Sequence, residues 1–153
     1  MKFKLPVSHK IFLKDVGLPL ELDDENDPAW VEVRPATQAD QIRRSDLGSE
    51  TTRIYDKDGK LTSIKQKWNN EELVRLEIYL VLTGAGSIEM QDPRDESKYV
   101  PVFRFAKVNG ITNLNMSEEE FYKALGTLPY EVTVAIHNAV LLENPQWSPN
   151  FLA

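Results

Sequence analysis

The stretch Trp68-Asn69-Asn70-Glu71-Glu72-Leu73-Val74-Arg75-Leu76-Glu77-Ile78-Tyr79-Leu80-Val81-Leu82-Thr83-Gly84-Ala85-Gly86 decides the fold class. Asn69 is a good helix N-cap and Glu72 follows three residues later. Acids in the first turn suit the positive end of a helix dipole. From Leu73 to Leu82 apolar residues cover most of the circumference, with Arg75 and Glu77 among them. A helix apolar nearly all round is a central one, buried on several sides. Gly84-Ala85-Gly86 reads as its stop. The β-branched residues keep a buried strand as the alternative, and the capping residues favour the helix.

Upstream the periodicity changes. Residues 7–13 read as a short strand, broken by Gly17 and Pro19. Trp30-Val31-Glu32-Val33-Arg34 alternates apolar and charged residues, as a strand with one buried face does, and Pro35 ends it. Thr37 can cap a helix from Gln38 to about Leu47, with Asp40 in a box-like position and Gly48 closing it. Arg53–Asp56 and Lys60–Ile64 flank Asp58-Gly59, which supplies the positive φ angles of a tight hairpin turn. Glu21 to Pro28 reads as an acidic, solvated loop.

Downstream, Asp92 to Lys98 reads as a charged loop. Tyr99 to Ile111 is either a strand with a turn, held to an edge by Pro101, or an irregular segment covering the core with Phe103 and Phe105. Ser117-Glu118-Glu119-Glu120 is a capping box for a short helix closed by Gly126. The last helix starts at Leu128-Pro129, with Pro129 at the tolerated first position. Its positions Val132, Ala135, Ile136, Ala139 and Val140 form one buried stripe. Tyr130, Val134 and Leu141 lie opposite, beside His137. That second apolar face needs a cover: either the tail, with Trp147 and Phe151, or a partner chain. The expectation is one α+β domain, 1–153. Residues 1–68 are β-rich with one short helix, 69–145 mainly helical, and 146–153 a tail.

Composition narrows the chemistry. The chain has 153 residues, 41% hydrophobic and 27% charged, enough for a core without staples. It contains no cysteine, which removes disulfide scaffolds, zinc–thiolate sites and thiol catalysis. The formal charge of −6 offers no general attraction to phosphate backbones. No apolar run of membrane-spanning or signal-peptide length is present, so no membrane association is expected.

Site motifs are sparse. His9 and His137 have no metal-ligand spacing, and no Gly-x-Ser-x-Gly elbow accompanies them. His137 reads as a satisfied or solvated histidine. Aligning Gly59 to a calcium loop puts Ile54 and Lys65 at ligand positions, which excludes that reading. Asp92 with Glu96-Ser97-Lys98 has the order of some metal-dependent nuclease sites, but those hold Glu and Lys on a buried strand. Arg53, Lys57, Lys60, Lys65 and Lys67 beside Trp68 make a basic hairpin. Lysines that keep an edge strand soluble explain it without nucleic acid. No catalytic residue, metal ligand or cofactor site is therefore expected.

Three segments carry a family resemblance. They are Trp30 to Asp40, a strand running into a capped helix; the Trp68-to-Leu73 helix start; and the Leu128-Pro129-Tyr130-Glu131 helix after its Ser-Glu-Glu-Glu cap. Together, over about residues 30–145, the chain resembles the tail assembly chaperones of long-tailed bacteriophages. The resemblance implies a non-enzymatic factor, absent from the finished virion and acting in the cytoplasm of the infected bacterium. Its partners would be the tape measure protein, held soluble, and tail tube subunits recruited around it. It also implies a short form and a frameshifted longer one. The partner-binding candidates are Tyr130, Val134, Leu141, Trp147 and Phe151, and a homo-oligomer is compatible with them. The acidic loop and the Asp58-Gly59 hairpin are not features the family requires. A structural virion subunit is the second expectation and a small carboxylate nuclease the third.

Overall fold

Strand alternation at Trp30–Val33 (β2) puts Val31 and Val33 on one face, and both are fully buried. The computed structural model describes residues 1–68 and 70–149, with the side chains of 48–52 and 64–68 outside the description. The proposed cap Asn69 and the tail residue Phe151 therefore lie outside the described residues.

β2 is the centre of a three-stranded antiparallel sheet. On one side it pairs with His9–Phe12 (β1), His9 opposite Val33 and Ile11 opposite Val31. On the other it pairs with Leu82–Gly86 (β5). The helix Gln38–Gly48 (α1) follows β2 and starts on the expected reciprocal cap. The Asp40 amide donates to Thr37 Oγ1 and the Asp40 carboxylate accepts the Thr37 amide at 2.8 Å. Ser49–Tyr55 (β3) and Leu61–Trp68 (β4) form the expected hairpin, whose turn is held by Asp56 Oδ1 accepting the amides of Asp58 and Lys60.

The quoted stretch is indeed helical, over Asn70–Val81 (α2), but its glycines do not stop it. The chain passes straight from α2 into β5. Arg34 ends the helix from outside, its amide donating to Val81 O and its guanidinium to Leu80 O at 2.6 Å. Gly84 and Gly86 belong to the strand. A Cβ on Gly86 would lie 2.2 Å from the Trp30 ring, and one on Gly84 would lie 3.1 Å from the Glu32 carboxylate. The glycines are there so that cross-strand side chains can lie on the sheet.

Two further expectations are corrected. The charged stretch after Glu89 is a hairpin, Glu89–Asp92 (β6) with Asp95–Pro101 (β7), rather than a loop. Its tight turn is braced by Asp92 Oδ1 accepting the Arg94 amide. Most of β7 is exposed on both faces, so it lacks the alternation that reveals a strand. Residues 82–114 as a whole are strands β5 to β9, so the portion 69–145 is not mainly helical. Phe105–Val108 (β8) and Ile111–Leu114 (β9) make the last hairpin, turning at Asn109 and Gly110, both at positive φ. Of the two readings of this region, Phe103 follows one and Phe105 the other. Phe103 sits buried in the irregular connection and Phe105 opens a strand.

Glu118–Leu125 (α3) has the full capping box on Ser117. Tyr130–Glu143 (α4) starts one residue after Pro129, which occupies the N-cap. One core joins both halves of the chain. It runs from Ile11 and Leu13 through Val31, Ile78 and Phe121 to Ile136, Val140 and Trp147. The architecture is α+β, a small sheet and hairpins packed with α2, α3 and α4. The acidic loop ties itself down: Asp23 Oδ1 accepts the Ala29 amide and Asp27 Oδ1 accepts the Ser87 hydroxyl. Among the described residues no helix is long and apolar enough to cross a membrane.

Candidate partner-binding groove

Helices α2 and α4 pack side by side, and a hollow follows their seam. From α2, Asn70, Glu71, Val74 and Arg75 recur at i, i+1, i+4 and i+5; from α4, Tyr130, Thr133, Val134 and His137 recur at i, i+3, i+4 and i+7. Each set lies on one helix face, so the two faces form the walls of a groove of about 630 Å³. A smaller hollow of about 250 Å³ continues it past Leu125, Gly126 and Leu128, sharing Arg75, Tyr130 and Thr133.

Behind the lining, His137 and Arg75 connect the groove to buried polar contacts. Glu77, 2% exposed, accepts from Arg44 Nε at 3.2 Å and sits 2.8 Å from His137 Nε2. A carboxylate buried in an apolar helix needs such partners. His137 is thus a satisfied histidine, as expected. Arg75 lies over the Tyr122 ring at 5.0 Å, while its buried Nε has no hydrogen-bond partner among the described residues. The Tyr122 hydroxyl donates to Glu118 at 2.9 Å. Burial first, then that hydrogen bond and the Glu118 charge, push the Tyr122 phenol far above its ordinary range.

The five sequence candidates separate. Tyr130, 79% exposed, and Val134 stand in the groove. Leu141 is half-buried and packs against the core. Trp147 is 3% exposed, which corrects its assignment to the partner surface. Its indole nitrogen donates to Gln41 Oε1 at 2.6 Å and the Arg44 guanidinium lies over its ring at 5.5 Å. The described part of the tail therefore packs on α1 and leaves Tyr130 and Val134 uncovered. Sequence reasoning missed the α2 wall. In sequence Asn70 and Glu71 read as helix-start residues and Val74 as core. Their four-residue spacing with Val74 and Arg75 was the signal that placed them together.

The other singled-out groups are exposed. Glu96 and Lys98 lie on strand β7 rather than in a loop, which corrects their setting, but both face solvent. Lys98 reaches Asp95 at 3.8 Å. Among the described residues no three His, Asp or Glu side chains stand close enough to hold a metal ion. Every side chain from Arg53 to Ser63 on the β3–β4 hairpin is exposed, including Ile54, Tyr55 and Leu61.

No protein-family model, curated protein or solved structure matches this chain.

Proposed function

We propose that the chain acts by capturing a protein partner, as a phage tail assembly chaperone that lays an amphipathic helix of the tape measure protein along the α2–α4 groove. The observation that carries this reading is the pair of open helix faces. Val74, Val134 and Tyr130 offer apolar contact at helical spacing, the arrangement that receives i, i+3, i+4 and i+7 anchors of a helix. The Glu71 carboxylate and the Arg75 guanidinium on the α2 wall add charged groups that would fix register. The acidic whole would keep such a complex soluble. The test is co-expression with a phage tape measure protein. The wild-type chain should bring it into the soluble fraction and co-purify with it, and Val134→Asp should fail to do so while folding normally. Equal capture by both chains, or by neither, would remove the proposal.

A second reading has an observation of its own. The exposed apolar tip of the β3–β4 hairpin, Ile54, Tyr55 and Leu61, suits a subunit that interlocks with neighbours in an assembled particle. Stoichiometric recovery of the chain in purified particles would select that structural role over the chaperone.

A further inference from the structure

We propose that residues 2–7, which precede the Ser8 hydroxyl held by Thr83 at 2.7 Å, are a pairing arm that joins two copies of this chain through an antiparallel ribbon centred on Leu5. The proposal is independent of the groove. Phe3, Leu5 and Val7 are 85%, 76% and 63% exposed, an unusual apolar run outside any core. They are in phase with Ile11, 8% exposed on the inner face of the sheet, and with Leu13, 0% exposed in the turn that follows β1. The pattern of one long strand therefore starts at Met1, yet only His9–Phe12 finds a partner. The reason lies in β2. His9 is opposite Val33, so Val7 would be opposite Pro35, where the chain has turned toward α1.

Backbone direction shows which edge of the arm is unsatisfied. The Leu13 amide donates to Ala29 O, continuing the β1–β2 register, so odd residues aim their N–H and C=O groups toward the β2 side. In an extended arm Phe3, Leu5 and Val7 present those groups to an empty lane. Pro6, which lacks an N–H, falls on the opposite edge, the position a proline takes in an outer strand. The arm is thus blunted on one side and open on the other.

A second copy fits that lane. Setting Leu5 opposite Leu5 puts Phe3 opposite Val7, Lys2 opposite Ser8 and Lys4 opposite Pro6. All apolar side chains then share one face and no lysine faces a lysine, whereas centring on Lys4 would oppose like charges. Charge favours the same chain as occupant. Lys2 and Lys4 sit on a protein of formal charge −6, leaving −8 on the rest of each copy. At the arm's root His9 Nδ1 lies 2.7 Å from Glu143, which turns the arm's apolar side toward the end of α4, where Leu142 is 63% exposed.

The absence of cysteine makes the register testable. Leu5→Cys would bring two sulfurs together at the two-fold axis, where paired Cα atoms lie about 5.5 Å apart. We expect wild type to run by light scattering at twice the 17.5 kDa chain mass. Phe3→Glu with Leu5→Glu, and deletion of residues 1–7, should each return the single-chain mass with an unchanged melting temperature. Mild oxidation should link Leu5→Cys but not Lys2→Cys. A monomeric wild type, a dimer that survives loss of the arm, or equal cross-linking at both positions would each overturn the proposal. So would a monomer destabilised by the deletion, since that would place the arm on its own body.

Discussion

Glu77 on α2 and His137 on α4 meet at 2.8 Å, and Arg44 on α1 closes on the same carboxylate at 3.2 Å. One buried acid therefore ties three helices and sets the spacing of the two that wall the groove. Glu77→Ala should cost about 3 kcal/mol, because it leaves the Arg44 guanidinium without its counter-charge and His137 Nε2 without its hydrogen-bond partner. Urea unfolding measures it. A cost within the surface range of about 0.5 kcal/mol would show that the carboxylate does not hold the helices together.

Trp147→Ala should also be strongly destabilising, by about 3–5 kcal/mol, since it empties a fully packed site and leaves Gln41 unpaired. Calorimetry on the variant distinguishes this from a binding residue, whose loss would leave the melting temperature nearly unchanged.

Val134 and Tyr130 should behave in the opposite way. Val134→Asp and Tyr130→Ala change exposed positions, so stability should shift by no more than about 0.5 kcal/mol. If the groove receives a helix, capture of that helix should fall at least tenfold with Val134→Asp. Retained affinity in a pull-down titration would place the contact elsewhere.

Gly86→Ala should displace the Trp30 ring, because the added methyl would sit 2.2 Å from it. We expect a loss of about 1–3 kcal/mol and a shift in tryptophan emission. An unchanged spectrum and stability would mean that the ring moves aside freely.

Stability should also fall at both extremes of pH. Burial alone would push the Asp40 carboxyl up. The Arg34 hydrogen bonds, the Thr37 amide and the Arg34 charge outweigh burial and hold it below the usual carboxylate range. A lowered pKa stabilises the fold above the unfolded value near 4, and that contribution is lost as the pH drops through the folded value. Tyr122 is raised instead, so its contribution is complete below about pH 10 and fades above it. Thermal melts should show Asp40→Asn flattening the acid limb and Tyr122→Phe the alkaline limb. Limbs identical to wild type would show that these groups do not govern them.

Local chemistry made much of the fold legible. The boxes at Thr37 and Ser117, the Asp58-Gly59 turn and the buried stripe of α4 depend on contacts within a few residues, so they read directly from the chain. The β6–β7 hairpin did not, because β7 is exposed on both faces and carries no alternation, and β6 spans only four residues. Half of the groove was visible as the second face of α4. The α2 wall was hidden because an almost wholly apolar helix does not reveal which of its sides stays uncovered.

The sequence by itself determined the α+β class, the helix that opens after Asn69 and the short strand within residues 7–13. These follow from side-chain period and capping, which are properties of neighbouring residues. Only the tertiary structure decided that Gly86 lies beneath Trp30, that Trp147 is core and that Tyr130 and Val134 remain open. Each of those depends on which distant segment arrives at a surface. Gln41 reaches Trp147 across 106 positions of chain, and no local period encodes such a meeting.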